Sequence, residues 1–225
     1  NSLFPDTPVH RIDRDTTRKK GSLENMLEQV HSGAPCLLVG TQMLAKGHHF
    51  PNVTLAAILD ADASLFSSDF RGPEKLAQLL VQTAGRAGRD QIPGTAVIQT
   101  YQADHPTIEI LVTQGYNAFA AQELTRRQQS GLPPAGHMAL FHAQAKDATQ
   151  AFALLNWLSQ QIQNPVLAPL TKALLMFGPM PAFMARKANY YRAQLQLQHP
   201  NRSQLQQLLQ QLCNLLDQHP AARKI

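Results

Sequence analysis

The chain has 225 residues, 44% of them hydrophobic and 16% charged, enough apolar material for one large or two modest cores and fewer charges than the ~25% usual in soluble domains. No run of ~20 apolar residues occurs, so no segment is expected to cross a membrane as a helix. Twenty Lys and Arg against fifteen Asp and Glu give +5 at pH 7, a mild excess that fits an anionic partner.

The two cysteines, Cys36 and Cys213, lack a C-x-x-C partner, so they build no zinc site by themselves and are expected to be buried thiols of a reducing cytoplasm. The chain opens on Asn1 with no signal-peptide pattern and is read as a piece of a longer protein.

In chain order, a short strand-like run around Val9, Arg11 and Ile12 leads into the polar loop of residues 13–17. A helix is expected after Gly21, with Ser22 as its cap and Leu23, Met26, Leu27 and Val30 on its apolar face. Cys36-Leu37-Leu38-Val39 is a continuous apolar run, as expected of a strand buried on both faces, and Thr54-Leu55-Ala56-Ala57-Ile58-Leu59 is another, closing on Asp60. A helix from about Pro73 carries Leu76, Leu79 and Leu80; Ala96-Val97-Ile98-Gln99-Thr100 predicts a third buried strand, and a helix from Pro106 follows. This alternation predicts an α/β fold with a parallel sheet covered on both faces. Ligands of such sheets gather at the carboxyl ends of strands, where Gly40-Thr41-Gln42, Asp60-Ala61-Asp62 and the loop after Thr100 fall.

The helix from Pro73 ends in Gln82-Thr83-Ala84-Gly85-Arg86-Ala87-Gly88-Arg89, a Q-x-x-G-R-x-x-R string. Arginines three apart share one face of a helix. Each guanidinium stays charged and can clamp phosphate oxygens with two donors, and the small residues between them let the backbone approach a neighbouring surface. That chemistry is phosphoryl transfer, with an arginine stabilising charge on the departing phosphate. Taken alone, the string also reads as a solvated basic helix end.

Residues 40–51 leave a strand and bring a hydroxyl, an amide, a lysine and two histidines into one stretch, with Gly47 permitting close backbone approach and Pro51 closing the loop. Thr41, Gln42 and Lys46 are groups suited to a nucleic acid backbone. His48 and His49 point apart on regular backbone and have no third ligand at metal spacing, so no metal site is expected. Asp60 and Asp62 suit either a magnesium ion in a phosphate site or an acid pair that salt-bridges within the fold.

Beyond residue 125 the pattern changes. Arg126-Arg127-Gln128-Gln129-Ser130-Gly131-Leu132-Pro133-Pro134 reads as a linker, because a diproline after glycine stops a helix. Met138 to Ala143 is strand-like, Ala151, Phe152, Leu155 and Leu158 share a helical stripe, and Trp157 sits off its centre. Leu174-Leu175-Met176-Phe177 is expected as a strand ended by Gly178-Pro179-Met180-Pro181, and residues 190–198 alternate with period two. A last helix follows Pro200, capped by Asn201 with Gln204 reaching back, and Leu205, Leu208, Leu209, Leu212, Leu215 and Leu216 form its stripe. The sum is β-α-β-β-α, a small α+β sandwich. Arg186, Lys187, Arg192 and Arg202 with Tyr190 and Tyr191 read either as a single-strand surface of charge plus stacking or as scattered cations with inward-packed tyrosines. Arg202 and Gln206, on the first turns of the last helix, face its positive dipole end, where an acidic peptide tail would dock.

Thr41-Gln42 with Gly47-x-x-x-Pro51 resembles motif V, and residues 82–89 resemble motif VI, of the second RecA-like lobe of superfamily 2 helicases. Within that superfamily the chain is similar to PriA-type replication-restart helicases over roughly residues 1–130, with a weaker echo in the remainder. The similarity is carried by Arg11-Ile12-Asp13-Arg14-Asp15-Thr16-Thr17, residues 40–51, Asp69-Phe70-Arg71-Gly72-Pro73-Glu74 and residues 82–90. The resemblance implies a RecA-like lobe over residues 1–125; the change of pattern beyond it gives an expected linker over 126–136 and a DNA- or partner-binding α+β domain over 137–225.

It also implies an ATP-dependent 3′-to-5′ DNA helicase of primosome assembly and fork restart, with ATP and magnesium as cofactors. Arg89 would be the finger on the γ-phosphate, Arg86 beside it, Gln82 an orienting amide and Gly47 the point where backbone passes the ATP cleft. Thr41, Gln42 and Lys46 would meet DNA; Arg192 is expected as a further DNA contact on the charge pattern of the second half alone. Expected partners are single-stranded and forked DNA, single-strand-binding protein at Arg202 and Gln206, and other primosome proteins. The chain contains no G-x-x-x-x-G-K-[ST] and no Asp-Glu-x-His string, and the family's paired zinc cysteines have no counterpart, so it is expected not to hydrolyse ATP alone. The other readings are a lobe of a different superfamily 2 translocase and a non-catalytic binding module.

Overall fold

The computed structural model describes residues 4–12, 28, 30–41, 53–85 and 94–222. The chain divides into two compact units, Asn1–Ala120 and Ala121–Ile225.

In the first unit, β1 (Val9–Ile12) pairs in parallel with β2 (Leu37–Gly40), Val9 opposite Leu37 and Ile12 opposite Gly40. β3 (Leu55–Ile58) pairs in parallel with β4 (Thr95–Ile98), Leu55 opposite Thr95 and Ile58 opposite Ile98. A parallel pair needs a crossover, and α1 (Asp62–Leu65) and α2 (Gly72–Ala84) lie on the one between β3 and β4. Leu76 and Leu80, four apart on α2, meet Ile58, Ala61, Leu65 and Ile108 in a buried cluster. Pro73 opens α2 where a missing N–H costs nothing. Gly72 is required by packing: a Cβ there would overlap the Ser64 carbonyl oxygen and come 2.7 Å from Ser67 Cβ, so α1 and α2 meet at a distance only glycine allows. After β4 come α3 (Pro106–Thr113), capped by His105 Nδ1 accepting from the Thr107 N–H at 3.2 Å, and α4 (Tyr116–Gln129).

Three sequence expectations change here. The strands are less buried than continuous apolar runs suggest: Val39 is exposed, and Leu55 is 61% exposed while Ile58 is buried. Successive side chains on a strand point to opposite faces; α2 meets the Ile58 face, and Leu55 and Ala57 turn away from it. The strand expected through Thr100 ends at Ile98. Residues 126–129, expected to open a linker, are the last turn of α4. Most of the helix expected after Gly21 lies outside the described residues; Val30 and His31 are helical.

In the second unit, β5 (His137–Ala145), β6 (Leu175–Lys187) and β7 (Tyr190–His199) form an antiparallel sheet in the order β5-β7-β6. α5 (Ala148–Ile162) and α7 (Arg202–Gln218) cover one face, and a short helix α6 (Ala168–Thr171) precedes β6. Period two along β7 puts Ala193, Leu195 and Leu197 under the helices, against Leu154, Leu158, Leu208 and Leu212. Asp147 caps α5 by accepting the Thr149 N–H at 2.9 Å, and Asn201 caps α7 by accepting the Gln204 N–H at 3.1 Å. The expected return arm from Gln204 is replaced: the Asn201 N–H donates to Nδ1 of buried His199 at 2.9 Å.

β6 does not stop at Gly178-Pro179-Met180-Pro181 but continues to Lys187 with two register shifts. It is an edge strand, where a proline without an N–H breaks no inner ladder. Gly178, at φ 102, lies where a Cβ would come 2.8 Å from the Gln194 carbonyl oxygen. Trp157 is half-buried against the His219 ring, centroids 4.2 Å apart. Neither cysteine is a buried thiol: Cys36 is half-buried and Cys213 exposed, because Cys213 follows Leu212 by one residue and so turns ~100° off the apolar stripe. Tyr190 and Tyr191 are exposed, not packed inward.

Candidate nucleotide and nucleic-acid sites

β3 closes on Asp60, held in the left-handed region at φ 53. Its N–H donates to Gln99 Oε1 at 3.2 Å, which joins the end of β3 to the segment leaving β4. Asp62 completes that joint: its carboxylate accepts the Tyr101 N–H at 2.9 Å and the Thr100 hydroxyl at 2.8 Å. The Tyr101 N–H, then the Thr100 hydroxyl and the field of His105, hold the Asp62 carboxyl below its ordinary pKa although the residue is only half-buried. The sequence reading of an ion-paired strand end is corrected: Asp62 is held by hydrogen bonds from residues 38 and 39 positions away. Among the described residues, no three His, Cys, Asp or Glu side chains come together as metal ligands.

The segment Asp69-Phe70-Arg71-Gly72-Pro73-Glu74 anchors the start of α2. Asp69 accepts the Arg71 N–H at 3.0 Å, takes Arg71 Nε at 2.9 Å and Nη2 at 3.0 Å in a two-pronged grip, and meets Lys75 Nζ at 2.7 Å. The Arg71 side chain, then Lys75, hold the Asp69 carboxyl well below the usual carboxylate range. With its start fixed by this cluster and by Gly72, and its middle fixed by Leu76 and Leu80, α2 delivers Gln82 half-buried in its last turn. Gly85 caps the helix, its N–H donating to the Val81 carbonyl at 2.9 Å. Thr41 is exposed just after β2. Gln42, Lys46, Gly47, His48, His49, Arg86 and Arg89 lie outside the described residues.

In the second unit, Arg202 and Gln206 line a cleft of about 400 Å³ with Pro133, Pro134, His137 and Leu205. Its walls are positioned by Gln198 of β7, whose Nε2 donates to the Ser130 carbonyl at 2.9 Å and to the Gly131 carbonyl. The diproline, expected as part of a linker, is a wall of this cleft. Arg192 stands half-buried on the sheet face opposite the helices, across from Gln144. Sequence reasoning missed the buried Glu123, which takes Arg127 Nε at 2.9 Å and Arg126 Nη2 at 2.8 Å. Its signal was present in the i,i+4 spacing of Glu123 and Arg127 on a helix.

The Helicase conserved C-terminal domain family matches residues 3–91, and the Primosomal protein N C-terminal domain family matches residues 128–225. The replication restart protein PriA of Haemophilus influenzae is 49% identical over 93% of this chain and 28% of its own length. This chain belongs to the PriA family. The PriA proteins of Synechocystis and Bacillus subtilis are 39% and 36% identical over 88% and 93% of the chain, and the chain spans about a quarter of the length of these relatives. Set on the PriA family's domains, the first unit is a RecA-like α/β helicase lobe that carries α2 and residues 82–89, and the second is the α+β domain that carries the cleft and β7.

Proposed function

We propose that this chain is the C-terminal part of an ATP-dependent 3′-to-5′ DNA helicase that acts in primosome assembly and the restart of stalled forks. The observation that carries the reading is that one chain holds a helicase C-terminal match over residues 3–91, which takes in residues 82–89, and a primosomal C-terminal match beginning at residue 128. In this reading Arg89 reaches the γ-phosphate as the arginine finger, Arg86 steadies the same phosphates and Gln82 orients the attacking water. Gly47 lets the backbone pass the nucleotide, and Thr41, Gln42 and Lys46 grip the tracked strand. ATP and magnesium would be held by groups outside this chain, whose sequence has no P-loop string, and the 225 residues supply charge stabilisation rather than the phosphate cradle.

The test is ATP turnover. In the full-length protein, Arg89→Ala is expected to lower DNA-stimulated hydrolysis about a thousandfold while single-strand affinity holds. The 225-residue chain alone is expected to show no DNA-stimulated hydrolysis, and turnover above background would end the claim that it carries half a site.

The cleft supports a partner reading alongside. Exposed Arg202 and Gln206 stand on the first turns of α7, where the helix dipole and the guanidinium both favour a carboxylate. Pro133 and Pro134 offer apolar contact beside them. That combination suits the acidic C-terminal tail of single-strand-binding protein. Arg202→Glu is expected to weaken a tail peptide by about tenfold or more, as one lost charge-assisted bond plus repulsion requires; unchanged affinity would remove the cleft as the tail site.

A further inference from the structure

No Asp or Glu occurs between Asp147 and Asp217, a stretch that holds Lys172, Arg186, Lys187, Arg192 and Arg202. Within it the edge strand β6 leaves regular register between Pro181, opposite Ala193, and Arg186, opposite Tyr191. One residue of β7, Arg192, therefore faces residues 182–185 of β6, and the surplus chain bulges from the sheet edge. Ala182 turns inward and is buried, whereas Phe183 is 84% exposed and Met184 49%. A bulge gives up ladder hydrogen bonds, and here the apolar side chains it displays recover little burial for the fold.

Three cations share the hairpin with the displayed ring. Arg186 is held at the hairpin end, its guanidinium 5.2 Å from the Tyr191 ring centroid and its Nη2 donating to Asn189 Oδ1 at 3.4 Å. Lys187 is next in sequence, Arg192 lies across the bulge on β7, and Tyr190 stands exposed beside the tip. The tip itself is tight: Ala188 and Asn189 both take left-handed φ, 50 and 65, which suits a two-residue turn whose twist matches its strands. The ring is thus presented on a short stiff hairpin and not on a floppy loop.

We propose that this bulge and hairpin form a single-stranded nucleic acid contact, in which the Phe183 ring stacks on an unpaired base and Arg186, Lys187 and Arg192 hold the flanking phosphates. The inference rests on the DNA-binding reading of this unit and adds to it the stacking residue and the form of the ligand. Every base has a π-face, so the contact is tolerant of sequence, and a duplex, whose bases are already stacked, offers the ring nothing. The hairpin comes from a stretch of sequence without an Asp or Glu, and that charge balance favours a polyanion over a protein surface of mixed charge.

The test compares variants of the 225-residue chain on oligothymidine and on a duplex of equal length, across a salt series. Phe183→Ala is expected to weaken oligothymidine binding about tenfold, to leave duplex binding alone and to leave the salt slope unchanged. Phe183→Trp should restore it, and Lys187→Gln should flatten the slope by about 0.7. If Phe183→Ala binds oligothymidine as the native chain does while Lys187→Gln flattens the slope, the stacking role is overturned, the phosphate reading stands, and the bulge belongs to a protein partner. If the native chain binds oligothymidine weakly and without salt dependence, both readings fall.

Discussion

Ten of the twenty Lys and Arg lie in Asn1–Ala120 and ten in Ala121–Ile225, whereas the fifteen acids split twelve to three, leaving the two units at −2 and +7. The net charge of +5 for the whole chain hides this division. Among the described residues of the first unit, Asp69 answers Arg71 and Lys75 at the start of α2. A phosphate site there depends on where individual arginines stand, not on a general field. In the second unit the cations are barely opposed, so the whole surface attracts a polyanion and single residues refine the contact. The supports differ in the same way. The described part of the first unit leans on four-residue strand pairs, a polar cluster and a small apolar group, while the second unit has strands of nine, thirteen and ten residues over a continuous core.

That contrast can be broken by substitution. The largest effect is expected from Leu208→Ala, which empties a fully buried position between α7 and the sheet and should cost ~2–5 kcal/mol. Trp157 is the chain's one tryptophan and lies in the second unit, so its fluorescence reads that unit in a denaturant titration. A midpoint that stays put would mean the core is not its main support.

Gly72→Ala comes next. The added methyl has no room against Ser64 and Ser67, and overpacking of this kind costs ~1–3 kcal/mol. Faster amide hydrogen exchange is expected in α1 and α2, with the Trp157 transition unmoved; native exchange in α2 would show that the two helices can part freely.

Asp69→Asn is the smallest and the most diagnostic, because it depends on pH. Arg71 and Lys75 depress the folded-state pKa of Asp69 below the unfolded ~3.9. Its stabilisation is therefore fully present above about pH 4 and fades as the pH falls toward the folded value. The variant should lose ~1 kcal/mol or less at pH 7, and its difference from the native chain, read by exchange at the start of α2, should vanish near the acid limit. A difference that persists unchanged at pH 3 would mean that Asp69 acts through something other than its charge.

Much of the second unit was legible because its signals are local. The Asn201 cap, the leucine stripe from Leu205 and the alternation of β7 are each written within a few neighbouring residues, and all three stand in the fold. In the first unit the helix from Pro73 and its end at the Q-x-x-G string were equally local. Burial was not: a continuous apolar run does not say how many faces will be covered, and Leu55 and Val97 stay exposed for that reason. Nor was the cleft legible as a cleft. Arg202 and Gln206 announced themselves four apart on one helix, but the diproline that walls them is some 70 positions away and read as a linker.

By itself, then, the sequence determined what short-range chemistry encodes: the family strings, the helix caps, the period-two strand and the acid-free stretch from which the second unit's charge follows. Only the tertiary structure decided the rest. It set Asp62 on Thr100 and Tyr101, let β6 run on through its prolines as an edge strand, and pushed Phe183 out of register into water. Each of these outcomes turns on which distant segment supplies the partner. Residue periodicity carries no record of that choice, which is made by the packing of whole elements.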